Sequence, residues 1–145
     1  MSKKDDIRVR RPEEYANLLN ILKEKGIFSS FKNALVFAAT LGYKQQIRLP
    51  FEKSSERIML RIFDDSTDIP FITCLALAET KDASILKRSR FPEAIQIFEE
   101  YAHGGLSLIS EYVKDDTNVL QSMELLVSSK IDASESMHDS LNPFG

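Results

Sequence analysis

A short run of alternating residues near the N-terminus, followed by two helical patterns, places the strongest constraint on the fold of this chain. The run is Ile7-Arg8-Val9-Arg10-Arg11-Pro12. Because successive side chains of a strand point to opposite faces, Ile7 and Val9 lie on one face and Arg8 and Arg10 on the other. The pattern predicts a strand with an apolar back and a basic front, which suits contact with an anionic surface.

Two helices are predicted after this strand. Pro12 suits the first turn of the first helix, and Gly26 ends it. Its apolar face is formed by Tyr15, Leu18, Leu19 and Leu22. Ser29 or Ser30 can cap the second helix, which ends near Gly42. Its apolar face is formed by Phe31, Leu35, Ala38 and Leu41.

The rest of the chain predicts a mainly α fold with one or two short additional strands. Residues 47–51 and 58–63 are candidate extended segments. The acidic segment 64–68 lacks the glycine and distal glutamate of a calcium loop, so we expect a solvated turn there. Helical patterns follow over about 70–79, 91–102, 106–113 and 116–129. Apolar spacing continues across Gly104-Gly105, which allows either one long bent helix or two helices that meet at a turn.

Charge is distributed unevenly along the chain. Residues 1–50 carry ten basic and five acidic residues, a net charge of +5, whereas the other 95 carry nine basic and 17 acidic residues, a net charge of -8. Such a chain can bind a polyanion with one end and a protein with the other, although charge also drifts by chance. We expect a basic module over 1–50, an acidic, mainly helical region over 51–131 and a disordered tail over 132–145.

The composition is typical of a soluble globular protein, with 43% apolar and 28% charged residues. The longest apolar stretch, Ala34 to Leu41, is too short to span a bilayer, so we expect no membrane contact. A single cysteine, Cys74, predicts no intrachain disulfide and fits a cytoplasmic location. Because it lies in an apolar run, we expect Cys74 to pack as a small hydrophobic residue.

The sequence contains no set of residues typical of catalysis. His103 and His138 are the two histidines, and His103 is predicted to act structurally as a cation near a helix end. Glu99 and Glu100 diverge by about 100 degrees on a helix, so we expect one solvated carboxylate and one partner for Arg or Lys. We also find no ligand set for a metal and no phosphate-binding loop, so we expect no cofactor and no enzymatic activity.

Residues 7–43 resemble a ribbon-helix-helix module, in which two chains pair their N-terminal strands into one antiparallel ribbon. The resemblance rests on the basic strand, the early proline, the Lys-Glu-Lys-Gly helix end and the serine-capped second helix. It implies a homodimer that binds double-stranded DNA, with the ribbon in the major groove and the N-terminus of the second helix against phosphate. The implied DNA contacts are Arg8, Arg10, Arg11, Ser29, Ser30 and Lys32. A first strand that pairs instead with residues 58–63 of the same chain would remove the need for a dimer.

A second resemblance covers about residues 7–113. The segments 32–44, 76–82 and above all Ile97-Phe98-Glu99-Glu100-Tyr101-Ala102-His103-Gly104-Gly105-Leu106 are similar to small accessory proteins of bacterial DNA phosphorothioation (Dnd-type) systems. This resemblance implies a cytoplasmic protein that takes part in DNA modification or the accompanying restriction, in defence against foreign DNA. It implies no catalytic site.

Candidate residues for binding a protein partner lie in the same motif. Paired glycines allow another helix to approach closely, or allow a bend that shapes a groove for a partner. The candidates are Glu99, Tyr101, Gly104 and Gly105. The sequence thus favours a DNA-binding accessory protein, with a protein-protein adaptor and a ribbon-helix-helix regulator of its own operon as the alternatives.

Overall fold

The computed structural model describes residues 7–132, which form five α-helices and one two-stranded antiparallel sheet. In chain order the elements are β1 (Arg8–Val9), α1 (Ala16–Glu24), α2 (Phe31–Lys44), β2 (Ile58–Met59), α3 (Asp68–Thr80), α4 (Phe91–Tyr112) and α5 (Val119–Leu126). Short 3-10 turns occupy Glu13–Tyr15, Leu60–Ile62, Ala83–Leu86 and Arg88–Arg90, and a π-helical turn, Val127–Asp132, follows α5. The predicted mainly α fold, with a strand-helix-helix start and one additional strand, is confirmed. Most of the predicted tail, residues 133–145, lies outside the described residues.

The first two helices form where the sequence pattern predicts them. Leu18, Leu19 and Leu22 of α1 are buried in the core, and the chain then leaves the helix through Gly26, whose φ is 73°. Only glycine adopts this left-handed backbone without a steric cost. The side chain of Ser30 caps α2 by accepting a hydrogen bond from the backbone N–H of Asn33. The first turn after Pro12 is 3-10 rather than α-helical, so α1 begins four residues later than expected.

The N-terminal strand pairs within its own chain. β1 runs antiparallel to β2, with Arg8 opposite Met59 and Val9 opposite Ile58. The pairing continues beyond the strands through a bond from the N–H of Ser55 to the carbonyl of Arg11. We call the pair β1 and β2 the ribbon. Both of its strands come from one chain, whereas the ribbon-helix-helix resemblance implies one strand from each of two chains. In this structure β2 occupies one edge of β1.

Helices α2 and α4 form the centre of the core, and two glycines allow them to approach closely, while a third lies against the segment after α2. A Cβ on Gly42 would overlap the carbonyl oxygen of Tyr101, and a Cβ on Gly105 would overlap that of Ala38. A Cβ on Gly104 would overlap the carbonyl oxygen of Ile47 in the segment that follows α2. The glycines do not end the helix: α4 is one continuous helix of 22 residues. One hydrophobic core combines residues from the predicted basic module and from the acidic region.

Other local expectations differ from the structure. Residues 47–51 form no strand and cross α4 as irregular chain held by a bond from the N–H of Leu49 to the carbonyl of Glu100. Helix α3 begins at Asp68, two residues before Pro70. The prediction that Cys74 packs in the core is wrong, because α3 buries Ile72 and Ala76 while Cys74 faces solvent. Among the helices described, none is both long and apolar enough to cross a bilayer.

Candidate functional site

Arg10 forms hydrogen bonds and an ion pair with other residues of its own chain. Its Nε and Nη2 lie 2.9 Å and 2.8 Å from Oε1 of Glu99, and its backbone N–H donates to Oε2 at 2.7 Å. Its Nη1 also donates to the carbonyl of Phe51, and its guanidinium stacks over the Phe51 ring. Because Glu99 occupies the planar guanidinium fork of Arg10, this fork is not available to bond a base edge or a phosphate.

Arg11 is also buried, with 8% of its surface exposed. Its Nε donates to the carbonyl of Glu56, and its guanidinium lies 4.4 Å from the ring centroid of Phe31. Burial lowers its pKa, against the raising effect of the nearby Glu56 carboxylate. The buried side chain of Arg11 therefore links the ribbon to Phe31 of α2.

Arg8 and Arg57 are the exposed arginines of the ribbon. Arg8 faces away from the core because Val9, the next residue, is fully buried. Arg57 lies two residues before Met59, the partner of Arg8, so strand geometry places it diagonally across from Arg8, about 7–8 Å away. Within residues 7–132, neither side chain forms a hydrogen bond or a close ion pair. Burial raises the pKa of Glu99, and Arg57 lies close enough to Glu99 for its charge to oppose that rise.

The sequence contains a signal that could have identified Arg57 as a surface residue of the ribbon. It appears when the strand alternation of residues 58–63 is extended by one residue towards the N-terminus. Residues 57, 59 and 61 share the strand period that predicted β2, and two of them are arginines. Arg57 becomes a neighbour of Arg8 because β2, which follows Arg57, pairs with β1.

The residues predicted to contact phosphate at the start of α2 also have partners within the chain. Ser30 Oγ accepts from the Asn33 backbone at 3.1 Å, and Ser29 Oγ accepts from the Asn33 side chain at 2.9 Å. Lys32 Nζ lies 2.7 Å from Oδ2 of Asp68. This pair ties the N-terminus of α2 to that of α3, so these three side chains serve the fold first.

Removal of the Ser30 hydroxyl should measure its role as a helix cap. We expect Ser30→Ala to lower the free energy of unfolding by about 1 kcal/mol, since it leaves an N-terminal N–H of α2 without its partner. Ser29→Ala is the matched control, because Ser29 bonds a side chain at the surface and should change stability by less than about 0.5 kcal/mol. Urea unfolding followed by circular dichroism compares them, and equal effects would contradict the cap assignment.

Glu100 anchors a second network on α4. Arg48 donates through Nε to Glu100 at 2.7 Å and through Nη1 to Glu79 of α3 at 2.8 Å. Tyr101 Oη donates to the other oxygen of Glu79 at 2.7 Å. Burial, and then this bond to Glu79, raise the pKa of Tyr101 to about 12. The network holds the segment after α2 against α3 and α4.

Glu99 and Glu100 are both buried, with 4% and 6% of their surfaces exposed. The expectation of one solvated carboxylate is therefore wrong. The two side chains do diverge around α4, but a different arginine covers each of them, because chain segments pack on both sides of the helix. Burial raises the pKa of Glu99, against the opposing effect of the Arg10 hydrogen bonds.

His103 lies in the middle of α4, not at a helix end. Its Nδ1 lies 3.0 Å from the carbonyl of Leu49, and its Nε2 contacts Oε1 of Glu14. A carbonyl can only accept, so Nδ1 donates to Leu49, and the contact of Nε2 with Glu14 links α4 to the 3-10 turn before α1. The ring also contacts Tyr15 and Phe51. His103 therefore has a structural role, as the sequence predicts. It fills this role through contacts with Leu49 and Glu14, and not as a cation at a helix end.

The residues predicted to bind a protein partner are buried and contact other residues of the same chain. Glu99 and Tyr101 pair with Arg10 and Glu79, and Gly104 and Gly105 contact backbone of the same chain. Their motif serves the packing of α4, which explains why it combines small, acidic and aromatic residues. Within residues 7–132, no group of three or more His, Cys, Asp or Glu side chains is placed to hold a metal ion.

The fold and these contacts define a small, mainly α-helical protein whose buried charges pair around one central helix and whose short ribbon presents arginines to solvent. The sequence model of a family described as DNA sulphur modification system-associated protein 4 matches residues 8–143. The chain belongs to this family, which confirms the resemblance to accessory proteins of Dnd systems. No curated protein and no solved structure shows a significant match.

Proposed function

We propose that this protein is a non-catalytic accessory component of a bacterial DNA sulphur modification system, or of the restriction that accompanies it, and that it contacts the DNA backbone through the ribbon. The observation that carries this proposal is the exposed pair Arg8 in β1 and Arg57 immediately before β2, whose side chains form no hydrogen bond or close ion pair within residues 7–132. The family association supplies the DNA context. Protein partners in the same complex and a cytoplasmic location belong to this proposed role.

The local charge of the ribbon supports contact with a polyanion. Arg10 and Arg57 both lie near the carboxylate of Glu99. Together with Arg8 and Arg11 they outnumber the carboxylates of Glu56 and Glu99, which leaves a net positive charge on the ribbon. Arg61 adds an exposed cation in the turn after β2. An arginine can bond a phosphate through two parallel N–H groups, so a surface with exposed arginines is suited to this contact.

Contact with phosphate is better supported than reading of bases. A bidentate bond to a guanine edge needs a free guanidinium fork. Of the two arginines that the resemblance places in the major groove, Arg10 has its fork occupied by Glu99, which leaves only Arg8 for such a bond. Contacts to phosphate position a protein on DNA and carry no sequence information of their own. We therefore expect binding that depends strongly on salt and weakly on sequence.

The test is DNA binding by an Arg8→Ala/Arg57→Ala variant. Fluorescence anisotropy with a labelled duplex should show affinity weaker by about tenfold at low salt, and a slope of log affinity against log salt smaller by about 2. Lys25→Ala/Lys114→Ala is the matched control: both lysines are exposed, without a close partner in the described structure, and their removal changes the net charge equally.

Equal losses in the two variants would show that total charge, and not the ribbon, drives binding. Absence of any binding by the parent protein at low salt would rule out the DNA role. In that case, capture of another component of the modification complex, lost in the Arg8→Ala/Arg57→Ala variant, would favour the adaptor function.

A further inference from the structure

The connection between α3 and α4 carries a second group of cations. Lys81, Lys87 and Arg88 are exposed in this loop, which comprises residues 81–90. None of their side chains forms an ion pair or a hydrogen bond with another residue of the described chain. Three cations within eight positions therefore face solvent from one short loop.

The one carboxylate of the loop is already paired. Asp82 Oδ2 lies 2.9 Å from Nη1 of Arg90, and its Oδ1 accepts hydrogen bonds from the backbone and side chain of Ser84. These bonds from Ser84, and then that from Arg90, lower the pKa of Asp82 to about 2. Arg90 in turn pairs with Glu93 in the first turn of α4. Arg90 thus binds both nearby carboxylates, and the four cations Lys81, Lys87, Arg88 and Arg90 against these two carboxylates leave a net charge of +2.

The loop is also held in one conformation. Ile85 is 1% exposed and anchors it to the core. Arg90 bonds both Asp82 and Ser84, which joins the two ends of the loop. The N–H groups of Lys87 and Arg90 close successive 3-10 turns. Cations on such a rigid loop are pre-organised for a ligand and lose less entropy on binding than cations on a mobile segment.

Lys81 occupies a backbone position that favours glycine. It caps the end of α3 in the left-handed conformation, with φ 55° and ψ 30°. A side chain at this position of a helix end has a conformational cost that glycine avoids. The ammonium group at this helix end also interacts favourably with the helix dipole, and the side chain extends into solvent.

We infer that this loop is a second contact surface for the phosphate backbone of double-stranded DNA, separate from the ribbon. The inference rests on the proposed function in taking DNA as the ligand, but on different residues. Its lysines, as compact point charges, provide affinity rather than sequence recognition.

The experiment compares the parent with three variants on one labelled duplex of about 30 bp, long enough to reach either surface. The variants are the ribbon variant Arg8→Ala/Arg57→Ala, a loop variant, Lys81→Gly/Lys87→Gln/Arg88→Gln, and the single variant Lys81→Gly. We expect the loop variant to reduce the salt slope by about 2 to 3 and to weaken binding at least tenfold. The single variant Lys81→Gly should weaken binding while its thermal stability stays the same or rises, which separates binding from folding.

Each outcome assigns the two surfaces separately. Loss of binding in the loop variant but not in the ribbon variant would support the loop and overturn the proposed ribbon contact. Loss in the ribbon variant alone would overturn the loop inference. A loop variant that binds DNA like the parent but no longer binds poly-L-glutamate would also overturn it, and would identify an acidic protein segment as the partner. Absence of DNA binding by the parent would overturn both proposals.

Discussion

Substitution of Gly105 by alanine should lower the free energy of unfolding by about 3 kcal/mol or more, although alanine is the better helix former. Gly105 lies inside α4, where this exchange would add about 1 kcal/mol of stability on an exposed face. Here the new Cβ would overlap the backbone carbonyl of Ala38 in α2, and neither backbone can move without separating the central helix pair. Urea unfolding of the parent and the variant measures the difference.

Ser107→Ala is the control for the same helix. Ser107 is partly buried two residues further along α4, and its hydroxyl bonds only the Gly104 carbonyl of its own helix. Its removal should change stability by less than about 0.5 kcal/mol. A stabilising effect of Gly105→Ala would mean that α2 and α4 do not approach as closely as the structure shows.

Replacement of Glu99 by alanine should cost about 3 kcal/mol, because it leaves the partly buried guanidinium and the backbone N–H of Arg10 without their carboxylate partner. Glu93→Ala is the matched control on the same helix. Glu93 also pairs with an arginine, Arg90, but half of its side chain is exposed and water screens the pair, so its loss should lower stability far less than the loss of Glu99. Thermal and urea unfolding distinguish the two.

A double variant tests the mechanism of that loss. Arg10→Met/Glu99→Leu removes both charges and keeps apolar volume, so it should recover much of the stability that Glu99→Ala loses. The remaining deficit should reflect the backbone N–H of Arg10, which keeps no acceptor. If the double variant is as unstable as Glu99→Ala, the cost arises from lost packing and not from an unpaired charge.

The expectations confirmed by the structure concern features with a strong local signal. The spacing of Leu18, Leu19 and Leu22 predicts the buried face of α1, and the serine before α2 predicts its cap. Both depend on neighbours within one or two helical turns, where periodicity and capping chemistry act directly. The glycine pair likewise predicted a close backbone approach, which α2 and the segment after it provide.

The expectations that failed concern the surroundings of a side chain. Arg10 has the same strand periodicity as Arg8, yet only Arg8 faces solvent, because α4 passes beside the ribbon and places Glu99 against Arg10. Cys74 lies in an apolar run but faces away from the side of α3 that packs. A one-dimensional pattern records the period of a helix or strand and not which of its faces another element will cover.

The amino-acid sequence by itself determined the helices, the basic first strand, the small residues of α4 and the family to which the chain belongs. Only the tertiary structure decided that β1 pairs with β2, that Glu99 and Glu100 each bind a different arginine, and that Arg8 and Arg57 share an exposed face. The physical reason is the range of the interactions. Helix propensity and capping act over a few residues, whereas these pairs join positions about 50 to 90 residues apart that come together only when the core closes.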